Sequence, residues 1–115
     1  MPRVLVLDDE PMIGLLLQDW LSELGCETVG PATSVQGALN LLDKGPVDAA
    51  ILDVSLGDGD CTPVAEALGT RKISFALATG YEPGDVAARF AGSPILSKPF
   101  DFAAMRSCTE GLLGR

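Results

Sequence analysis

The sequence predicts an α/β fold built around a parallel sheet. Short apolar stretches alternate with segments of helical apolar spacing five times along the chain. The apolar stretches are continuous rather than alternating, which is typical of strands that are covered on both faces. Proline and glycine residues stand where these segments begin and end. We therefore expect a parallel sheet of five strands with helices packed above and below it.

The first strand and helix lie near the amino terminus. Residues 4–7 are all apolar and predict a buried strand. Pro11 suits the first turn of the following helix, where a missing N–H has no cost, and Gly25 ends that helix. The apolar residues at helical spacing are Ile13, Leu16, Leu17, Trp20 and Leu24.

A second strand and helix follow directly. Residues 26–30 predict a short strand. Thr33 and Gln36 have the spacing of a capping box, so we expect them to open the second helix. Residues 44–46, Lys-Gly-Pro, end it.

The middle of the chain predicts the third strand, a loop and the third helix. Residues 48–53 are the most apolar strand candidate, and residues 54–60 are expected to form a loop. Thr62 is a candidate cap for a helix that begins at Pro63 and ends at Gly69.

The last third of the chain is less regular. Residues 73–78 predict the fourth strand and residues 95–97 the fifth. Between them, glycine and proline leave room only for a short or irregular fourth helix near residues 86–90. A final helix carries apolar or small residues at helical spacing, namely Phe102, Met105, Thr109 and Leu112.

Length and composition predict a single folded domain across residues 1–115. Hydrophobic residues make up 47% of the chain and charged residues 21%, a balance typical of globular proteins. The apolar runs are far too short to insert into a membrane. The chain begins directly with a strand-like segment, so we expect no signal peptide and a cytoplasmic protein.

Charge and side-chain chemistry exclude several classes of function. The formal net charge is −8 and the basic residues are scattered, so nucleic acid is not an expected partner. The chain has no histidine, which excludes imidazole zinc sites and Ser-His or Cys-His catalysis. No C-x-x-C pair occurs among the cysteines, which are Cys26, Cys61 and Cys108. We expect them to be small apolar residues of the core, with free thiols in a reducing compartment.

Polar side chains follow the predicted strands at the points where they end. Asp8 and Asp9 follow the first strand, Asp53 ends the third, Thr79 ends the fourth and Lys98 follows the fifth. The carboxyl ends of parallel strands meet at one edge of a sheet, which is where open α/β sheets bind their ligands. These distant residues are therefore expected to share one cleft.

The chemistry of this set fits a divalent cation and a phosphoryl group. Clustered carboxylates repel one another unless a cation or water screens them, and oxygen ligands suit Mg²⁺. Lys98 can pair with a carboxylate or a phosphoryl oxygen, and the Thr79 hydroxyl can donate to an anionic oxygen. The arrangement favours formation of an acyl phosphate beside the metal ion.

In these residues the chain resembles the receiver domain of two-component response regulators. The resemblance covers essentially the whole chain, and it implies a flavodoxin-like, doubly wound sheet of strand order 2-1-3-4-5. It also implies that Asp53 accepts a phosphoryl group from a phosphohistidine on a sensor histidine kinase or a histidine phosphotransfer protein. The domain would then act on a downstream protein.

The same resemblance implies a role for each site residue. Asp9 and Asp53 would hold Mg²⁺ together with the main-chain carbonyl of Ser55, and Asp8 would position the ion through water. Thr79 and Lys98 would bind the phosphoryl oxygens.

The sequence departs from the family pattern at several positions. Gly57 stands where receivers often have a proline, and Ile95 stands where many have an aromatic switch residue. Tyr81, two residues after Thr79, is the candidate replacement for that ring as a switch residue with Thr79. Its surroundings look like the Phe-Ala-Thr-Gly loop of single-domain regulators from alphaproteobacteria, although Leu77 stands in place of the phenylalanine.

Two alternatives remain open from the residues. Asp8 and Glu10 have the spacing of the D-x-D motif of haloacid-dehalogenase phosphatases, but there is little room for a cap domain. A pseudo-receiver acting as a phosphorylation-independent adaptor is the other alternative. We expect a phosphoacceptor rather than a metabolic enzyme. We expect this chain to carry no output domain, and its output to pass through protein contacts or onward phosphotransfer.

Overall fold

The computed structural model describes residues 1–57, 59–80, 90 and 92–115. In chain order the elements are β1 (Arg3–Leu7), α1 (Pro11–Glu23), β2 (Glu27–Ala32), α2 (Val35–Lys44), β3 (Ala49–Asp53), β4 (Ser55–Leu56), β5 (Gly59–Asp60), α3 (Thr62–Thr70), β6 (Ser74–Thr79), β7 (Ile95–Ser97) and α4 (Phe102–Leu112).

The long strands form one parallel sheet in the order β2-β1-β3-β6-β7. With β6 and β7 as its fourth and fifth strands, the sheet has the predicted order and confirms the flavodoxin-like fold. The central strand β3 is buried over its whole length. It pairs with β1 through Leu7 and Leu52 and with β6 through Asp53 and Ala78. All carboxyl ends therefore lie at the same edge.

The core has two layers because successive residues of β1 point to opposite faces of the sheet. Leu5 and Leu7 pack into one layer with residues of α2 and α3, namely Ala38, Leu42, Val64 and Leu68. Val4 and Val6 pack into the other layer with residues of α1 and α4, namely Leu17, Leu21 and Met105. Helices cover both faces, as the continuous apolar runs predict.

The start of α2 differs from the prediction. The hydroxyl of Ser34, not Thr33, accepts a hydrogen bond from the N–H of Gly37 at 3.1 Å. Gln36 makes no capping box and instead donates to the Asn40 side chain at 3.0 Å. Ser34 has the extended backbone of an N-cap residue, with φ −144° and ψ 159°, so its hydroxyl is the group aimed at the first turn.

The predicted loop over residues 54–60 contains a short antiparallel pair. Ser55 pairs with Asp60, and Leu56 pairs with Gly59, whose φ of 137° suits glycine. Thr62 begins α3 instead of capping it through its side chain, and its N–H donates to the Asp60 carboxylate at 2.9 Å. The helix continues past Gly69 to Thr70. Strands of two residues are too short to produce a periodic sequence signal.

Three further findings bear on the sequence predictions. The helix expected near residues 86–90 lies outside the described residues at 86–89. Cys61 is fully buried, and burial raises the pKa of its thiol to about 12, as expected for an unreactive core residue. Within the described ranges, no helix has the length and apolar character required to cross a bilayer.

Candidate functional site

The predicted site residues meet at the carboxyl edge of the sheet. Asp8 follows β1, Asp53 is the last residue of β3, Thr79 is the last residue of β6 and Lys98 follows β7. The N–H of Lys98 donates to the carbonyl oxygen of Thr79 at 2.7 Å, which joins the ends of the last two strands. Four strands therefore each bring one polar side chain to this edge.

The Lys98 ammonium lies among three carboxylates of this edge, two that follow β1 and one that ends β3. Its Nζ is 3.0 Å from Asp8 Oδ2 and 3.4 Å from Asp53 Oδ2. Glu10 Oε1 is more distant, at 3.9 Å. The Asp8 and Asp53 side chains are 2% and 7% exposed, so water screens these charges poorly.

The surroundings of the Asp53 carboxyl group oppose its ionisation. Burial raises its pKa to about 6, the nearby Asp8 charge and the Asp9 side chain act in the same direction, and Lys98 opposes them. Its Oδ1 accepts a long hydrogen bond of 3.4 Å from the N–H of Ser55. A second cation beside Asp53 would relieve this excess of negative charge.

The pKa of Lys98 is also raised, but for a lysine this shift favours the charged form. Burial disfavours its charge, but the contacts with Asp8 and Asp53 outweigh that effect and raise the pKa of the ammonium above its usual value. Lys98 therefore stays charged at neutral pH, and it is a fixed positive charge next to Asp53.

An acidic cluster lies at this edge and is partly exposed to solvent. Carboxylate oxygens of Asp8, Asp9 and Glu10 lie within 4.8 Å of one another, with Asp8 buried and the other two exposed. Oxygen donors in such a group suit a hard divalent cation such as Mg²⁺. With the raised pKa of Asp53, the donor set fits that ion.

Glu10 is the residue whose place the sequence does not predict. Glu10 stands at the N-cap position of α1, but its side chain makes no capping hydrogen bond. Instead, Asp8 Oδ1 accepts from the N–H of Glu10 at 2.9 Å. The signal available in the sequence was its adjacency to Asp8 and Asp9.

The remaining predicted residues occupy different positions. Ser55 lies in β4, beside the Asp53 carboxylate, and Thr79 is buried at the end of β6. Ile95 is 40% exposed at the start of β7. Tyr81 lies outside the described residues, so its role as a switch residue stays a prediction.

Gly57, at the position where receivers often have a proline, lies near the cluster. A Cβ at Gly57 would lie 3.9 Å from Asp9 Oδ2, an ordinary contact distance.

An α/β domain with a buried aspartate, an acidic cluster and a lysine at one sheet edge has the features of a phosphoacceptor module. The chain belongs to the response regulator receiver domain family, which matches residues 4–110. It is therefore a phosphoacceptor signalling domain of the two-component type. This membership favours the receiver interpretation over the haloacid-dehalogenase alternative.

Relatives and solved structures agree with this assignment. The transcriptional regulatory protein PdtaR of Mycobacterium tuberculosis is 31% identical over 117 residues, which cover 98% of this chain but only 57% of PdtaR. The chain thus spans little more than half of that relative.

Solved structures of similar fold include SdrG and TrrA. SdrG from Sphingomonas melonis Fr1 has a TM-score of 0.85 and 42% identity, and the match covers 98% of this chain and 97% of SdrG. TrrA from Thermotoga maritima, solved in complex with Mg²⁺-BeF, has a TM-score of 0.85 and 31% identity, with 98% and 100% of the two chains covered.

Proposed function

We propose that Asp53 accepts a phosphoryl group from a phosphohistidine on a sensor histidine kinase or a histidine phosphotransfer protein. One observation carries this proposal. The Asp53 carboxylate ends the central strand, is nearly buried, and lies 3.4 Å from the Lys98 ammonium beside the acidic cluster. At pH 7.5, above its pKa of about 6, most of the Asp53 carboxylate is ionised and able to attack phosphorus.

Magnesium is the proposed cofactor. Asp9 and Asp53 would hold the ion with the main-chain carbonyl of Ser55, and Asp8 would act through water. Support comes from the oxygen chemistry of these residues and from related TrrA, which was solved with Mg²⁺-BeF. When bound, the ion would neutralise charge on the phosphoryl group and on the surrounding carboxylates.

The chain's own residues supply the nucleophile and the binding groups. A carboxylate oxygen of Asp53 forms a bond to phosphorus while the phosphorus–nitrogen bond of the phosphohistidine breaks, and its electron pair stays on the imidazole. Lys98 and Thr79 would bind the phosphoryl oxygens, since one is a fixed positive charge and the other a hydroxyl donor at the same edge.

Signal output is proposed to pass through protein contacts or onward phosphotransfer in the cytoplasm, without turnover of a metabolite. Thr79, Tyr81 and Ile95 are the proposed switch residues. Ile95 supports this role by its exposure at the start of β7, where a partner could contact it.

The test is phosphorylation by acetyl phosphate, followed as the mass increase of the intact protein. We expect one phosphoryl group to be added with Mg²⁺ present, and none after EDTA treatment or in Asp53→Asn. A variant Asp53→Asn that is labelled as well as the parent would contradict the assignment. A parent chain that binds no Mg²⁺ and accepts no phosphoryl group would favour the adaptor alternative.

A further inference from the structure

We infer that the contact between Trp20 and Phe100 positions the Lys98 ammonium for phosphoryl transfer, so that both aromatic residues are positioning residues. The inference rests on the proposed function. Phe100 lies two residues after Lys98, in the connection between β7 and α4. Its ring centroid is 6.2 Å from that of Trp20 on α1, at an interplanar angle of 60°.

The connection that carries Lys98 is fixed at both of its ends. At one end the N–H of Lys98 donates to Thr79 O at 2.7 Å. At the other end the Asp101 carboxylate caps α4 by accepting from the N–H of Ala104 at 2.8 Å. Phe100 lies between these two anchors and packs with Trp20 against the core layer of α1 and α4.

A cleft separates the start of α1 from Lys98, so this helix contacts the Lys98 segment through Trp20. A cavity of about 430 Å³ beside Lys98 is lined by the N-cap residue Glu10, by Ile13 and Leu16 of α1, and by Gly80, Lys98, Pro99 and Phe100. The first turns of α1 therefore leave space beside Lys98 instead of packing closely against it. Trp20, further along α1, provides the ring contact that connects this helix to the Lys98 segment.

The same helix is tied to the other partner of the ion pair. Asp8, whose Oδ2 is 3.0 Å from Lys98 Nζ, accepts through Oδ1 from the N–H of Glu10 at the start of α1. Trp20 also contacts Phe102 of α4, with centroids 5.7 Å apart. Helix α1 thus contacts the chain segments on both sides of the Asp8–Lys98 pair, and the Trp20–Phe100 contact sets their separation.

The test measures the rate of phosphorylation by acetyl phosphate in saturating Mg²⁺. Phe100→Leu retains apolar bulk but removes the ring, and we expect the rate to fall about tenfold because a small displacement of a positioned charge is costly. Trp20→Leu should give the same loss, and Trp20→Phe, which keeps a ring, should restore the parent rate. Phe75→Leu is the matched control, since it disrupts the separate Phe75–Phe90 pair and should leave the rate unchanged.

Dependence on Lys98 separates positioning from a general loss of packing. In a Lys98→Ala background, Phe100→Leu should have no further effect on the rate, because the group that it positions is gone. An equal slowing in both backgrounds, a parent-like rate for Phe100→Leu, or an equal slowing by Phe75→Leu would overturn the inference. If the parent chain itself is not phosphorylated, the proposed function fails instead, so the two failures are distinguishable.

Discussion

The two edges of the sheet carry charges in very different ways. At the amino edge, Arg3 at the start of β1 donates to Glu27 at 3.0 Å through its side chain and to Asp48 at 2.7 Å through its main-chain N–H. The Arg3–Glu27 pair is exposed to solvent, with 34% and 53% of the two side chains accessible. The Arg3 guanidinium and the Glu27 carboxylate therefore balance each other in contact with solvent.

At the carboxyl edge the same strands end in buried charges that do not balance. Asp8 and Asp53 share one ammonium, and Asp9 and Glu10 add further negative charge. Folding alone does not require such an excess, since burial of like charges is destabilising. The comparison indicates that the carboxyl edge is arranged for a ligand and the amino edge for stability.

The largest expected effect follows removal of the shared cation. Lys98→Met should lower the free energy of unfolding by about 3 kcal/mol at pH 7.5, because buried Asp8 and Asp53 lose their counter-charge. Arg3→Met, at the other edge, should cost about 1 kcal/mol or less. Urea unfolding measures both values, and equal losses would remove the contrast between the edges.

The second effect is a gain in stability. Folding raises the pKa of Asp53 from 3.8 to about 6, so its contribution to stability is fully present below about pH 4 and is lost as pH rises through 6. Without Mg²⁺ at pH 7.5, Asp53→Asn should therefore be more stable than the parent by about 2 kcal/mol.

Urea unfolding of the parent and Asp53→Asn between about pH 4 and pH 8 checks this prediction. The stability advantage of the variant should grow across that interval. Asp48→Asn, which removes a carboxylate at the amino edge, is the control and should show no such gain. A difference that does not change with pH would contradict the destabilising role assigned to the Asp53 charge.

A smaller effect concerns the ion itself. We expect 10 mM Mg²⁺ to stabilise the parent by about 1 kcal/mol, the value for a site with millimolar affinity. Asp9→Asn should abolish this stabilisation. Glu10→Gln removes one charge from the same exposed cluster and should retain most of it, since Glu10 is not a proposed ligand. Thermal unfolding with and without Mg²⁺ measures the effect, and equal losses in both variants would mean that only net charge matters.

The smallest effect belongs to the exposed pair. Glu27→Gln should change the free energy of unfolding by less than about 0.5 kcal/mol, and the change should vanish in 1 M NaCl. A large loss that persists in 1 M NaCl would contradict the assignment of this pair as an exposed, screened ion pair.

Most of the sheet was predictable, because its strands are continuous apolar runs that end in polar residues. The same rule places Asp8, Asp53 and Lys98 at one edge from the sequence alone. The capping residue was misplaced by one position because Thr33 and Ser34 have similar chemistry, and only the extended backbone of Ser34 distinguishes them. The role of Glu10 depends on side-chain direction, and the Trp20–Phe100 contact joins residues far apart in sequence, so local patterns reveal neither.

The most direct test is to locate the phosphoryl group on the chain. After reaction with acetyl phosphate, borohydride reduction converts an aspartyl phosphate to homoserine, which peptide mass spectrometry identifies. The account predicts conversion at Asp53 alone and only when Mg²⁺ is present. Conversion at Asp8 or Asp9, or conversion that persists in EDTA, would contradict it.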